Sequence, residues 1–317
     1  MKCDEREQHA GSRQHDKMRL EDRSIDWNLD VLYTALSKFW AIRDGKGDAF
    51  TPTKDEELKN PILELQDTVV MPPAKKDSES PTDMELYPNA LNQLRDYVST
   101  IAYMYHNNPF HNFDHASHVS MSAKKMLSRV VTFNDDSQAY AYGITSDPLT
   151  QFAVIFATLI HDVDHGGVSN GQLVKERSEV ATLYNSKSVA EQNSIDVAWE
   201  LLMESSYEQL RACIFANDEE HHRFRSLVIN AVIATDIFDK DLKEFRNKRW
   251  ERAFGDEKDN SDLKATIVIE HLIQASDVAH TMQHWHIYQK WNEKLFAEMY
   301  SAYQGGRGND PAPGWYK

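Results

Sequence analysis

Apolar residues recur at intervals of three and four along most of the chain, the period of a helix with one face turned to a core. Residues 25–43, IDWNLDVLYTALSKFWAIR, set Trp27, Leu32, Leu36 and Phe39 on one stripe. Residues 84–107 repeat the pattern with Leu91, Leu94, Val98 and Ile101, and residues 117–131 with Val119, Met126, Leu127 and Val130. The stretch SDPLTQFAVIFATLI (146–160) is apolar all round, which predicts a helix buried inside a large helical domain. Ser146 and Asp147 are its cap candidates, and Pro148 suits its first turn. Further helices are predicted at about 187–204, 218–238, 262–279 and 283–303. No Asn-Gly or Asp-Gly turn stands between alternating runs, so strand pairing has no signal. The predicted fold is all-α.

Residues 1–24 are nearly all polar and read as a mobile lead-in. Residues 44–83 mix Gly, Pro, Lys, Asp and Ser and read as a connector, so the chain divides into 1–83 and a main domain at 84–317. Hydrophobic residues make up 41% and charged residues 27% of the 317, a globular balance. The formal net charge of −15 argues against nucleic acid as a partner, because phosphate backbones are bound by clustered Lys and Arg. Cys3 and Cys213 cannot build a disulfide framework, which points to a reducing, cytoplasmic setting. The longest uncharged apolar run, Phe152 to Ile160, is far shorter than the roughly 20 residues of a membrane span.

Chemistry concentrates where the apolar run ends. LIHDVDHGG (159–167) places His161, Asp162, Asp164 and His165 directly after it, and Gly166 and Gly167 supply a helix stop. His111 and His115 lie four apart in NPFHNFDHASH, and Asp277 ends another apolar run in LIQASDVAH. Imidazoles and carboxylates are the ligands that suit zinc, iron, manganese or magnesium. A cation also lets a buried carboxylate stay ionised, which otherwise costs several kcal/mol. One ion between packed helix ends can serve His115, His161, Asp162 and Asp277 together. Neighbours on a helix point about 100° apart, so His161 and Asp162 share an ion best at a helix terminus.

At this point the chain resembles the class I cyclic-nucleotide phosphodiesterases of the HD metal-phosphohydrolase superfamily. The stretches that carry the resemblance are NPFHNFDHASHV (108–119), LIHDVDHGGVSN (159–170), LYNSKSVAEQN (183–193), VIATDIF (232–238) and IQASDVAHT (273–281). It implies a compact multi-helix domain with two divalent metals at the base of a pocket. His115, His161, Asp162 and Asp277 match the ligands of the tighter site, usually zinc. Asp162 matches the bridge to a second metal, usually magnesium or manganese. His165, Glu191 and Thr235 match groups that hydrogen-bond that metal's waters, with Asp236 beside them, and His111 matches the proton donor. His111, Asn112, His115, Asp162 and Asp277 are the implied contacts of the cyclic nucleotide. The implied reaction hydrolyses cAMP or cGMP to the 5′-monophosphate in signal transduction. Two metals lower the pKa of a bridging water, and an acid at His111 protonates the leaving 3′-oxygen.

The sequence also departs from the family. Gly166 stands where Pro is usual, Gln192-Asn193-Ser194 where Asn-His-His is usual, and Ala279-His280-Thr281 where Ser-Asn-Pro is common. The family's purine-binding glutamine and aromatic clamp have no match before Lys317; Gln289 and Gln304 stand in another context. The C-terminal part of the catalytic domain is therefore expected to be missing from this sequence. Two other readings stay open: a non-catalytic metal- or nucleotide-binding regulatory module that keeps the fold, and a different HD phosphohydrolase acting on nucleoside phosphates. Trp285 and Trp291 read as core packing, and DEEHH (218–222) as a solvated helix start.

Overall fold

In the computed structural model, which describes residues 2–43, 45–47, 60–72, 84–131, 140–255 and 260–315, helices follow one another along the chain. They are α1 (Lys2–Ile42), α2 (Pro88–Met104), α3 (Phe113–Val131), α4 (Pro148–Ile160), α5 (Asn170–Glu176), α6 (Glu179–Leu183) and α7 (Val189–Met203). Then come α8 (Glu208–Ile214), α9 (Asp218–Ile233), α10 (Lys240–Gly255), α11 (Ser261–Asp277), α12 (Trp285–Gln304) and the short α13 (Ala312–Trp315). No strand occurs among the described residues.

The all-round apolar run forms the centre. Every residue of α4 except Gln151 is buried, and α1, α3, α7, α9 and α11 pack around it. Asp147 caps its first turn, accepting from the Thr150 amide at 3.3 Å, and Pro148 occupies the position that lacks an amide donor. Arg223 of α9 pairs with the same carboxylate, so the cap also ties two helices together.

The polar residues ahead of the amphipathic segment are helical and continuous with it, since the stretch is rich in Glu, Gln, Arg, Lys and Met, all strong helix formers. Leu29, Leu32, Leu36, Phe39 and Trp40 of α1 lie in the same hydrophobic core as α4 and α9. Part of the expected connector is an ordered strap. Residues 60–72 run over α7, α9 and α11, their amides taken by side chains: Ile62 by Gln192 (3.1 Å), Gln66 by Asn230 (3.0 Å) and Val69 by Thr266 (2.9 Å). Glu64 receives Arg225 at 2.7 and 2.6 Å. Beneath the strap, the buried Arg249 donates to the Asp67 carbonyl at 3.1 Å and pairs with the buried Glu270. Most of the remainder of that segment lies outside the described residues.

Three smaller expectations are corrected. Trp285 is 72% exposed rather than core. In DEEHH, Asp218 and Glu219 are solvated but His221 is buried, against Trp199 and Phe215. The helix predicted to reach residue 238 stops at Ile233, because Asp236 turns the chain and accepts the amides of Phe238 and Asp239, each at 3.1 Å.

Candidate metal centre

Three helix ends deliver the candidate ligand side chains to one place. His115 sits in the first turn of α3, whose entry Asn112 caps by accepting the His115 amide at 3.1 Å. His161 and Asp162 follow the last turn of α4, and Asp277 closes α11. Beyond Asp162 the chain turns sharply. Asp164 adopts a left-handed φ of +61° and Gly167 one of +71°; Asp tolerates that region and Gly adopts it freely. Asp164 is held from both sides, by His106 Nε2 at 2.8 Å and by the Asn193 amide at 2.9 Å. The Ser194 hydroxyl donates to the Val163 carbonyl at 2.7 Å. Asn193 and Ser194, which depart from the family pattern, thus anchor the loop that carries the ligands. A Cβ at Gly166 would meet open space, so no neighbouring group demands glycine there.

The imidazoles and carboxylates converge. His115 Nε2 lies 2.9 Å from Asp277 Oδ1 and 3.7 Å from Asp162 Oδ2; His161 Nε2 lies 3.1 Å from Asp162 Oδ2 and 3.5 Å from Asp277 Oδ1. One donor atom each from His115, His161 and Asp277 falls within 4.8 Å of the others. His161 Nδ1 is engaged by the Thr158 carbonyl at 2.9 Å, which leaves Nε2 as the ligating nitrogen. That Nε2 is buried and makes no hydrogen bond of acceptable geometry, an expense that a cation removes. Burial alone raises the carboxyls of Asp162 and Asp277, but the surrounding imidazoles outweigh it and hold both well below the usual carboxylate range. Two buried imidazoles facing carboxylates that stay ionised fit a divalent ion of the zinc type.

His111 lies beside this set and is held by a residue that sequence reading did not single out. The buried Glu298, on α12, pairs with His111 Nδ1 through one oxygen. Its other oxygen accepts the amides of Phe110 at 2.8 Å and His111 at 2.9 Å. Burial works to lower the His111 pKa; the carboxylates of Asp162 and Glu298 prevail and raise it. The His165 ring lies 4.1 Å from the His111 ring, centroid to centroid. Burial, with His111 alongside, brings His165 down to about 4. Asn108 ties the two segments, donating to the carbonyls of His111 at 3.0 Å and His165 at 2.6 Å. Trp291, also on α12, is half-buried and sits among Phe110, His115, His118 and His280, so it walls the candidate ligand His115 instead of packing in the main core.

Glu191 and Asp236 form a third polar group. Asn170 donates to Glu191 Oε2 at 2.8 Å, and Ser188 donates to Asp236 Oδ2 at 2.8 Å. Burial and the neighbouring Asp236 carboxylate push Glu191 up to about 7, with Asp162 adding to the effect. The Thr235 hydroxyl instead donates to the Val232 carbonyl at 2.7 Å. The Asn112 amide donates to the carbonyls of Asn108 at 2.8 Å and Pro109 at 3.2 Å, so its side chain serves the entry to α3. Glu298 and Asn170 were missed because neither stands next to a histidine in sequence. The one available signal was the seven-residue spacing of Trp291 and Glu298, two helical turns on one face.

Comparison with known proteins points to one family. The sequence model of the family described as 3'5'-cyclic nucleotide phosphodiesterase matches residues 110–310. A probable 3',5'-cyclic-AMP phosphodiesterase, pde-4, of Caenorhabditis elegans is 30% identical over 216 residues, 65% of this chain and 29% of the relative. The rat 3',5'-cyclic-AMP phosphodiesterase 4C is 30% identical over 68% of this chain and 38% of its own length. A cGMP-specific 3',5'-cGMP phosphodiesterase 3 of Dictyostelium discoideum is 27% identical over 66% of this chain and 41% of its own. Among solved structures, the phosphodiesterase domain of the RhoPDE fusion protein from the choanoflagellate Salpingoeca rosetta superposes with a TM-score of 0.56 at 25% identity. That match covers 67% of this chain and 63% of that one. The chain spans less than half the length of the curated relatives it matches. Helical fold, ligand set and five ordered motifs together place the chain in the 3',5'-cyclic nucleotide phosphodiesterase family.

Proposed function

We propose that this chain hydrolyses 3',5'-cyclic nucleotides, cAMP or cGMP, to nucleoside 5'-monophosphates. The observation that carries the reading is the pairing of His111 with Glu298 directly beside the His115–His161–Asp277 ligand set. His115, His161, Asp162 and Asp277 would hold the tighter ion, whose donor set suits zinc, and Asp162 would also serve a second, magnesium or manganese. When bound, the two ions supply Lewis-acid stabilisation of the phosphate and activation of water near neutral pH.

The chain's own groups do the rest. Glu298 keeps the His111 imidazole oriented through Nδ1 and supports its protonated form, so Nε2 can give a proton to the departing 3'-oxygen. Without that proton the leaving group is an alkoxide, and such an acid typically contributes 10²–10⁴-fold. Asn112 enters through its cap on α3, which fixes His115. His165, Glu191 and Thr235, with Asp236 beside them, would hydrogen-bond the waters of the second ion. Trp291 and His280 close the far side of His115 against solvent.

The test is incubation of the purified chain with cAMP and with cGMP, in magnesium or manganese, followed by chromatography of the products. Nucleoside 5'-monophosphate is the expected product. Binding of metal and cyclic nucleotide with no product formed overturns the reading in favour of a regulatory module; turnover of nucleoside phosphates alone overturns it in favour of another phosphohydrolase.

A further inference from the structure

A second group of metal-ligating atoms stands next to the metal centre and shares none of its three closest ligands. One donor atom each from His111, His165 and Glu298 lies within 4.8 Å of the others. The Gly167 amide donates to His165 Nδ1 at 3.2 Å, so an ion that takes this nitrogen displaces that amide. The Glu298 carboxylate is 5% exposed and the His111 ring 26% exposed, which combines a desolvated anion with an imidazole reachable from solvent. Two imidazoles and one carboxylate with an open position form a recurrent zinc donor set. Soft-to-borderline first-row ions prefer this set over magnesium, which favours oxygen and retains its water.

We propose that His111, His165 and Glu298 form a separate, weaker site for zinc or a similar first-row divalent ion, and that its occupancy switches hydrolysis off. The inference rests on the hydrolytic reading above for its consequence, but not for its binding site. On binding, the ion replaces the proton shared by His111 and Glu298, and that proton passes to solvent. A metal-bound His111 is a neutral imidazole whose remaining Nε2 proton is far less acidic than that of the imidazolium, so it no longer serves the 3'-oxygen, while the Phe110 and His111 amides still hold Glu298 in place. The site is weaker than its neighbour because it offers three donor residues where the main centre offers four, and the ion must break the His111–Glu298 pair and displace the Gly167 amide from His165.

The experiment is equilibrium dialysis of the full chain, zinc-loaded at the tight site and saturated with magnesium, against rising free zinc. Zinc per chain is counted by mass spectrometry and hydrolysis is measured on the same samples. His165→Asn and Glu298→Gln are run in parallel, with retention of the tight zinc as the check on folding. One additional zinc is expected in the unaltered chain, weakened at least ~10-fold in both variants. Inhibition is expected to follow that occupancy and to persist at higher magnesium. An additional zinc bound equally well by both variants overturns the site. Inhibition relieved by magnesium in step with loss of the zinc assigns the ion to the magnesium position and overturns it too. If the unaltered chain shows no hydrolysis, the functional reading fails, and the zinc counts still decide whether the site exists.

Discussion

Glu298 reaches His111 across 187 residues of sequence and holds it at three points, the ring Nδ1 and two successive amides. The carboxylate therefore fixes both the ring and the backbone that carries it. Its charge also raises the His111 pKa, against the lowering effect of burial and together with Asp162.

Glu298→Gln is accordingly expected to lower kcat by ~10²-fold, within the range of lost general-acid catalysis, with KM changed far less. The pH profile provides the specific readout. The donor must be protonated, so activity falls as pH rises through the His111 pKa. Removal of the carboxylate lets that pKa drop, and the alkaline limb of the kcat profile moves to lower pH. A variant that loses rate with the limb unmoved shows that Glu298 only supports the fold.

His161→Ala should remove the tightly bound ion and all measurable hydrolysis, because Nε2 is the one His161 nitrogen left free by the Thr158 carbonyl. Metal content by mass spectrometry should drop below one ion per chain. His111→Ala should keep that ion while kcat falls ~10²–10⁴-fold. Equal loss of metal in both variants contradicts the separation of donor and ligand.

Much of this centre was legible in the sequence because its signals are local. An all-round apolar run ending in His161-Asp162 before two glycines marks a buried helix terminus, and His115 and Asp277 sit on similar helix ends. Glu298 was not legible: a single carboxylate in KLFAEMY has the sequence look of a solvated helix position, and its burial depends on Phe110 and His111 arriving from elsewhere. The strap was equally hidden. Irregular backbone such as residues 60–72 has no period, and the side chains that satisfy its amides, Gln192, Asn230 and Thr266, come from three different helices.

The strap makes its own stability prediction. Arg249 and Glu270 are 1% and 3% exposed, and Arg249 also bonds the Asp67 carbonyl. Arg249→Met leaves Glu270 buried without its cation and should cost about 3–5 kcal/mol in urea unfolding. Arg249→Met combined with Glu270→Leu should recover a large part of that loss, since a buried pair replaced by apolar residues is often close to neutral. A double variant as unstable as the sum of the single ones shows that the strap bonds, not the ion pair, hold this region.

Glu191 yields a prediction for the metal-free protein. Burial and Asp236 hold its folded pKa at about 7, above the ordinary value of 4.5. A carboxyl raised on folding binds its proton more tightly in the native state. Its contribution is fully present below about pH 4.5 and is lost as pH rises through about 7. Chelator-treated protein should therefore lose stability from pH 5 to pH 8, by on the order of 1–3 kcal/mol from this group. Glu191→Gln should flatten that slope, because the amide needs no proton to stay neutral beside Asp236. Thermal melts at stepped pH, with and without chelator, measure both effects. Added divalent metal should restore stability in the unaltered chain at pH 8, where a nearby cation would offset the charge of ionised Glu191. A slope unchanged by Glu191→Gln would mean that another group in the cluster takes up the proton.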